Sequence, residues 1–156
     1  MNKKYLVGLF QYNFRMNEEI ISILEDNKNN SKKIINIFSH LLKAEKIWLM
    51  RLKGEDLSGQ MIWPDLTIKE SQDLIIENIQ MYKQYFMSLK ADEITKNLNY
   101  RNSKGQEFQI AIVDILIHVV IHSSYHRGQI AMLVREQGGN PINTDYINYI
   151  RNLKST

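Results

Sequence analysis

No cysteine occurs anywhere in the chain. That excludes disulfides, cysteine-based zinc sites and a cysteine nucleophile. If the protein performs thiol chemistry, the thiol must come from a small molecule. Proline is scarce, at two in 156 residues, and glycine numbers seven, which leaves room for long uninterrupted helices. No run of about 18 apolar residues exists, so no membrane partner is expected. The start, MNKKYLVGLFQYNFRMNEE, is basic and then apolar. Its apolar run is too brief for a signal peptide and is followed by no small-residue cleavage site, so a cytoplasmic location is the expectation. Charge of one sign is not massed either. The net charge is +3, and Lys3, Lys4, Lys32, Lys33, Lys43 and Lys46 are scattered, so no nucleic-acid partner is expected.

What remains is an ordinary globular composition, 44% apolar and 24% charged, in a chain of a length suited to one domain over residues 1–156. The pattern divides into four long helices. The first spans about Lys3 to Glu25, with Leu6, Leu9, Phe10, Phe14, Ile20, Ile21 and Leu24 at helical spacing. The polar cluster Asp26 to Asn30 ends it, and Asn30 or Ser31 can cap the next. The second helix runs from about Lys32 to Lys53, stopped by Gly54 in a left-handed cap. A loop containing Trp63-Pro64 leads to Thr67-Ile68-Lys69-Glu70, a capping box, and a third helix to about Leu89. Residues 97–100 and 106–110 alternate around Asn102-Ser103-Lys104-Gly105, which predicts a short β-hairpin. The fourth helix starts near Gln109 to Ala111 and stops at Gly138-Gly139 before Pro141. A short helix after Asn143 or Thr144 is expected in the tail. Four helices, each with one apolar face, predict an all-α antiparallel bundle with a site in its interior.

Three of the four histidines are spaced by four: His118, His122 and His126. On a helix they share one face. His118 and His126 lie about 12 Å apart along the axis and cannot share one ion. Either 118/122 or 122/126 can, and spacing alone does not choose between the pairs. An open catalytic site typically needs a third protein ligand, and the one histidine elsewhere is His40, in the middle of the second helix. Asp114, four residues before His118, is placed to orient it as a carboxylate partner or to interact with the helix dipole. Gln129, three past His126, can reach toward the pocket. Tyr125 and Arg127 flank His126 at a pocket mouth, Arg127 reading better as a surface or interhelical ion pair. Glu45, five past His40, points well away from it. Gly128 inside a helix costs about 1 kcal/mol against alanine, a cost that a close helix approach near the site would explain. Trp48, Trp63, Tyr100 and Tyr125 serve either pocket shape or bundle packing.

The run His122-Ser123-Ser124-Tyr125-His126-Arg127-Gly128-Gln129-Ile130 closely resembles the signature of the DinB family, within the DinB/YfiT-like superfamily of metalloenzymes. The second helix, with His40, Ala44-Glu45 and Trp48, is similar to the family's second helix. Lys104-Gly105 in the hairpin and the ending Gly138-Gly139-Asn140-Pro141 with Asp145 extend the resemblance over nearly the whole chain. It implies a four-helix bundle of the DinB/YfiT type with unusual connectivity, often a homodimer. It also implies a three-histidine metal site, here His40, His122 and His126, holding zinc or nickel, with His118 behind the ligands. Family members resemble S-transferases that activate a low-molecular-weight thiol such as bacillithiol at the metal.

The leading expectation is therefore a metal-dependent transfer of a small-molecule thiol to an electrophile. Metal-dependent hydrolysis is the alternative, through a bound water of lowered pKa. A non-enzymatic metal-sensing or ligand-binding stress protein is the third reading.

Overall fold

Apolar residues recurring every three or four positions fold into helices that bury one face each. The computed structural model describes residues 2–26, 31–102 and 105–154. Its elements are α1 (Lys3–Asp26), α2 (Lys32–Lys53), α3 (Ile68–Ser88), β1 (Asn97–Arg101), β2 (Glu107–Ala111), α4 (Ile112–Glu136) and α5 (Tyr146–Lys154). The expected all-α bundle with a hairpin before the fourth helix is what forms. Local signals act where they were read. Ser31 Oγ accepts from Ile34 N–H at the start of α2, and Gly54 ends it at φ 69°. Thr67 and Glu70 form both bonds of the capping box. Of the hairpin's turn, Ser103 and Lys104 lie outside the described residues.

Within the bundle, α1 packs on α3 and α4, and α2 packs on α3 and α4. Helices α1 and α2, consecutive in the chain, therefore sit diagonally across from each other. The hairpin is antiparallel, pairing Leu98 with Ile110 and Tyr100 with Phe108. It also sets the start of α4, where no side chain caps the helix. Instead Ile112 N–H donates to Lys96 O at 3.0 Å and Val113 N–H to Ile94 O at 2.9 Å. Two of the helix's orphan donors are satisfied by the turn that leads into β1, which fixes where the turns of α4 begin.

The core has two apolar storeys. Leu6, Phe10, Leu49, Tyr82, Phe86 and Leu116 fill the end near the hairpin. Ile20, Leu24, Phe38, Leu42, Leu74 and Leu133 fill the other. Between them lies a buried polar layer with a contribution from every long helix: Asn13 and Asn17, Glu45, Asn78, Ser123 and Arg127. The tail docks on α1 through Tyr12, whose hydroxyl donates to Thr144 O and whose ring meets Tyr146 and Tyr149. No helix of the described residues is long and apolar enough to cross a membrane.

Candidate metal centre

Spacing by four stacks the α4 histidines, and α2 brings His40 against them. The rings of His122 and His126 are 4.5 Å apart, His40 and His126 4.7 Å, and His40 and His122 5.3 Å. One potential ligand atom from each of the three lies within 4.8 Å of the others. Of the two pairs left open by spacing, 122/126 is the one that lies together with His40. His118 stays one turn away, its ring 5.6 Å from His122 and 4.9 Å from Trp48.

The outer ring nitrogens explain how the rings are aimed. His40 Nδ1 donates to Ile62 O at 2.9 Å, because a carbonyl can only accept. Its Nε2 lone pair is then free. His126 Nδ1 donates to Gln129 Oε1 at 2.8 Å, which frees its Nε2 in the same way. His126 Nε2 and His122 Nε2 stand 3.2 Å apart. Two imidazole nitrogens at tetrahedral zinc are separated by about 3.3 Å, given bonds of roughly 2.0–2.1 Å. The donor set therefore fits a divalent cation, with lone pairs converging and each outer nitrogen of His40 and His126 held by a carbonyl oxygen. Trp63 covers the His40 ring, stacked at 3.7 Å and 8°.

Electrostatics favour neutral rings, which is the ligating form. His122 is pushed down to about 4, by burial first and then by the charges of His126, His40 and His118. Burial also lowers His40, opposed by the bond to Ile62. His118 is lowered by burial and then by the Arg51 charge. No carboxylate figures among the groups shifting any of these three. Asp114 is exposed in the first turn of α4, and the ring contacts of His118 run to Trp48 and His122.

Arg127 and Gly128 behave differently from the sequence reading, while the Glu45 carboxylate takes its partners away from His40, as expected. Arg127 is not at a pocket mouth, and its interhelical contacts are hydrogen bonds to asparagines rather than an ion pair. It is wholly buried, and its Nη1 donates to Asn13 Oδ1 at 2.8 Å and Asn17 Oδ1 at 3.2 Å. Glu45 is the centre of the polar layer. Its Oε1 accepts from Asn13 at 2.6 Å, Asn17 at 3.0 Å and Ser123 at 2.9 Å, and Oε2 accepts from Asn78 at 3.3 Å. Burial raises the Glu45 pKa, and these donors oppose the rise. Asn13 and Asn17 thus bridge a buried acid and a buried base that never touch. Gly128 has no close helix neighbour, since a Cβ there would meet nothing within 4 Å. The sequence reading also passed over Ile62 and left Trp63 undecided. For the polar layer a signal existed: Asn13, Asn17, Asn78 and Ser123 occupy apolar-face positions, where an uncharged polar residue implies a buried partner.

The family model described as "DinB family" matches residues 4–154. The chain is also similar to "Protein DinB" of Bacillus subtilis (strain 168), at 24% identity over 157 residues, covering 91% of each chain.

Proposed function

The chain belongs to the DinB family, and from that premise we propose that it is a metal-dependent S-transferase joining a low-molecular-weight thiol, bacillithiol for example, to small electrophiles. His40, His122 and His126 would hold zinc or nickel. The observation that carries this reading is the convergence of those three imidazoles within 4.8 Å. When bound, such a cation lowers the pKa of a thiol and keeps it as the nucleophilic thiolate.

The chain's own residues support that use. It has no cysteine to compete for the ion. Gln129 and the Ile62 carbonyl hold the outer ring nitrogens of His126 and His40, so those rings stay aimed. Trp63 shields one side of the cluster. In the overall reaction the thiol loses its proton to solvent, a sulfur–carbon bond forms, and the electrophile's leaving group departs. Hydrolysis would call for a general base beside the cluster, and the buried acid Glu45 is taken up by Asn13, Asn17, Asn78 and Ser123.

A homodimer is part of the same reading. Ile121, Tyr125 and Met132 form an exposed apolar stripe on α4, with Gly128 open between them. The helix cost of that glycine is offset by no packing within the chain, and a second copy approaching along the stripe would supply it. Light scattering should give twice the chain mass, falling to one chain mass in Tyr125→Glu; a monomeric native protein would remove this part of the reading.

The decisive experiment is metal content of untagged protein by mass spectrometry. About one zinc or nickel per chain is expected, lost in His122→Ala and His126→Ala. Loaded protein should then conjugate thiols to monochlorobimane faster than background. No metal after reconstitution, or no rate above background, would overturn the proposal.

A further inference from the structure

Eleven residues beyond His40, on the same face of α2, lies Arg51. A rise of 1.5 Å per residue puts the two backbones about 16 Å apart, but a chain of rings closes the gap. His122 is 5.6 Å from His118, His118 is 4.9 Å from Trp48, and the Arg51 guanidinium carbon sits 4.5 Å over Trp48. The ring of Tyr100 lies 5.5 Å from the same carbon. The guanidinium is therefore fixed by Trp48 on α2 and Tyr100 on the hairpin, and it stands at the far end of the histidine row.

Its charge is unanswered. Arg51 Nε is buried with no hydrogen-bond partner, and no carboxylate among the described residues lies within ion-pair distance of Arg51. A half-buried guanidinium without a counter-charge is costly unless an anion completes it. The space for one is present. A cavity of about 120 Å³ is lined by Arg51, Ile47, Gln60, Ile62 and Arg101, with no acidic residue in its wall. Ile62 links it to the cluster, since its carbonyl holds His40. Arg101 at the rim brings a second guanidinium, paired across the hairpin with Glu107 at 2.5 Å.

We propose that Arg51, assisted by Arg101, binds a carboxylate or phosphate carried by the thiol substrate, whose sulfur lies at the three-histidine cluster. This rests on the reading above, in which the molecule held at the cluster is the thiol. Its remaining length then runs along the row His122, His118, Trp48 toward Arg51, and the electrophile approaches from outside. The planar guanidinium fork suits a two-oxygen acceptor. The substrate class is thus an anionic thiol, rather than a neutral one with an anionic electrophile.

The test separates anion binding from metal chemistry. S-Methylglutathione, a thioether, and its dimethyl ester are titrated by calorimetry into protein as purified, its metal content measured in the same sample. The acid should bind at least tenfold tighter than the ester. Arg51→Gln should abolish that difference, Arg51→Lys should keep part of it, and Arg101→Gln should reduce it about threefold. Lys83→Gln, on the α3 surface, should leave it intact. Equal binding of acid and ester to the native protein would overturn the proposal even if Arg51→Gln failed to fold, and so would an undiminished preference in a folded Arg51→Gln. Because the probe has no free thiol, these outcomes do not depend on the transferase reading. A second arm uses cobalt-loaded protein and follows the thiolate band with glutathione and with its diethyl ester. A band favouring the acid, lost in Arg51→Gln, supports one molecule spanning both ends. A preference seen only for anionic electrophiles in the conjugation assay would move the anion to the other substrate and overturn the proposal.

Discussion

Arg127 follows a candidate ligand directly and Ser123 follows another, yet both turn away from the cluster into the polar layer. Removing the guanidinium leaves Glu45 buried without the nearby positive charge that its asparagine bridges deliver. Arg127→Ala is expected to cost about 3 kcal/mol or more in urea denaturation, far beyond the cost of a surface arginine. Trp63 acts on the other side of His40. Trp63→Ala should weaken metal binding by about tenfold, the scale seen when a partner that orients a ligand is lost, with little effect on the urea midpoint of metal-free protein. The titration of His122 carries a definite sign. Its folded pKa of about 4 lies below the ordinary 6.5, so between those values the unfolded chain binds a proton that the folded protein refuses. Metal-free protein should therefore lose stability as pH falls from about 6.5 to 4, with no further loss from this group below that window. Thermal midpoints across the range check this, and His122→Ala should flatten the slope. Glu45 works in the opposite direction, because its pKa is raised.

At the scale of elements, the sequence was most legible where a local signal ends a helix. Thr67 and Glu70 were readable because both bonds of the capping box lie within four residues. Thr67→Ala should cost about 1 kcal/mol in urea denaturation and leave metal content unchanged, since α3 supplies no imidazole. The spacing of the α4 histidines was equally readable, because periodicity alone sets a face. The start of α4 was less so. Its first donors are taken by Lys96 and Ile94 across the hairpin, a partnership that no pattern around Ile112 announces. The tail helix begins at Tyr146, after a turn in which Asn143 Oδ1 accepts from Asp145 N–H. Arg127 was misjudged for a related reason. Helix α4 is apolar over much of its circumference, and the asparagines that accept from this arginine lie on α1, more than a hundred positions earlier. Trp63 escaped assignment because the path of a loop is a tertiary fact.

The whole molecule is held by contacts between distant parts of the chain. Ser123 reaches Glu45 across 78 positions and Arg127 reaches Asn13 across 114. Such long-range closure lowers folding rates, and it also orders events in time. His40 is the sole histidine before His118. Synthesis of α1, α2, α3 and the hairpin therefore adds one imidazole to the growing chain. One imidazole is a poor trap for any ion, and the chain offers no thiol to strengthen it. An ion held by His40, His122 and His126 would be captured only after α4 has been made and has closed against α2. On the proposed reading, such a site would take its ion late, from the pool available to a finished bundle rather than from whatever the translation machinery meets first.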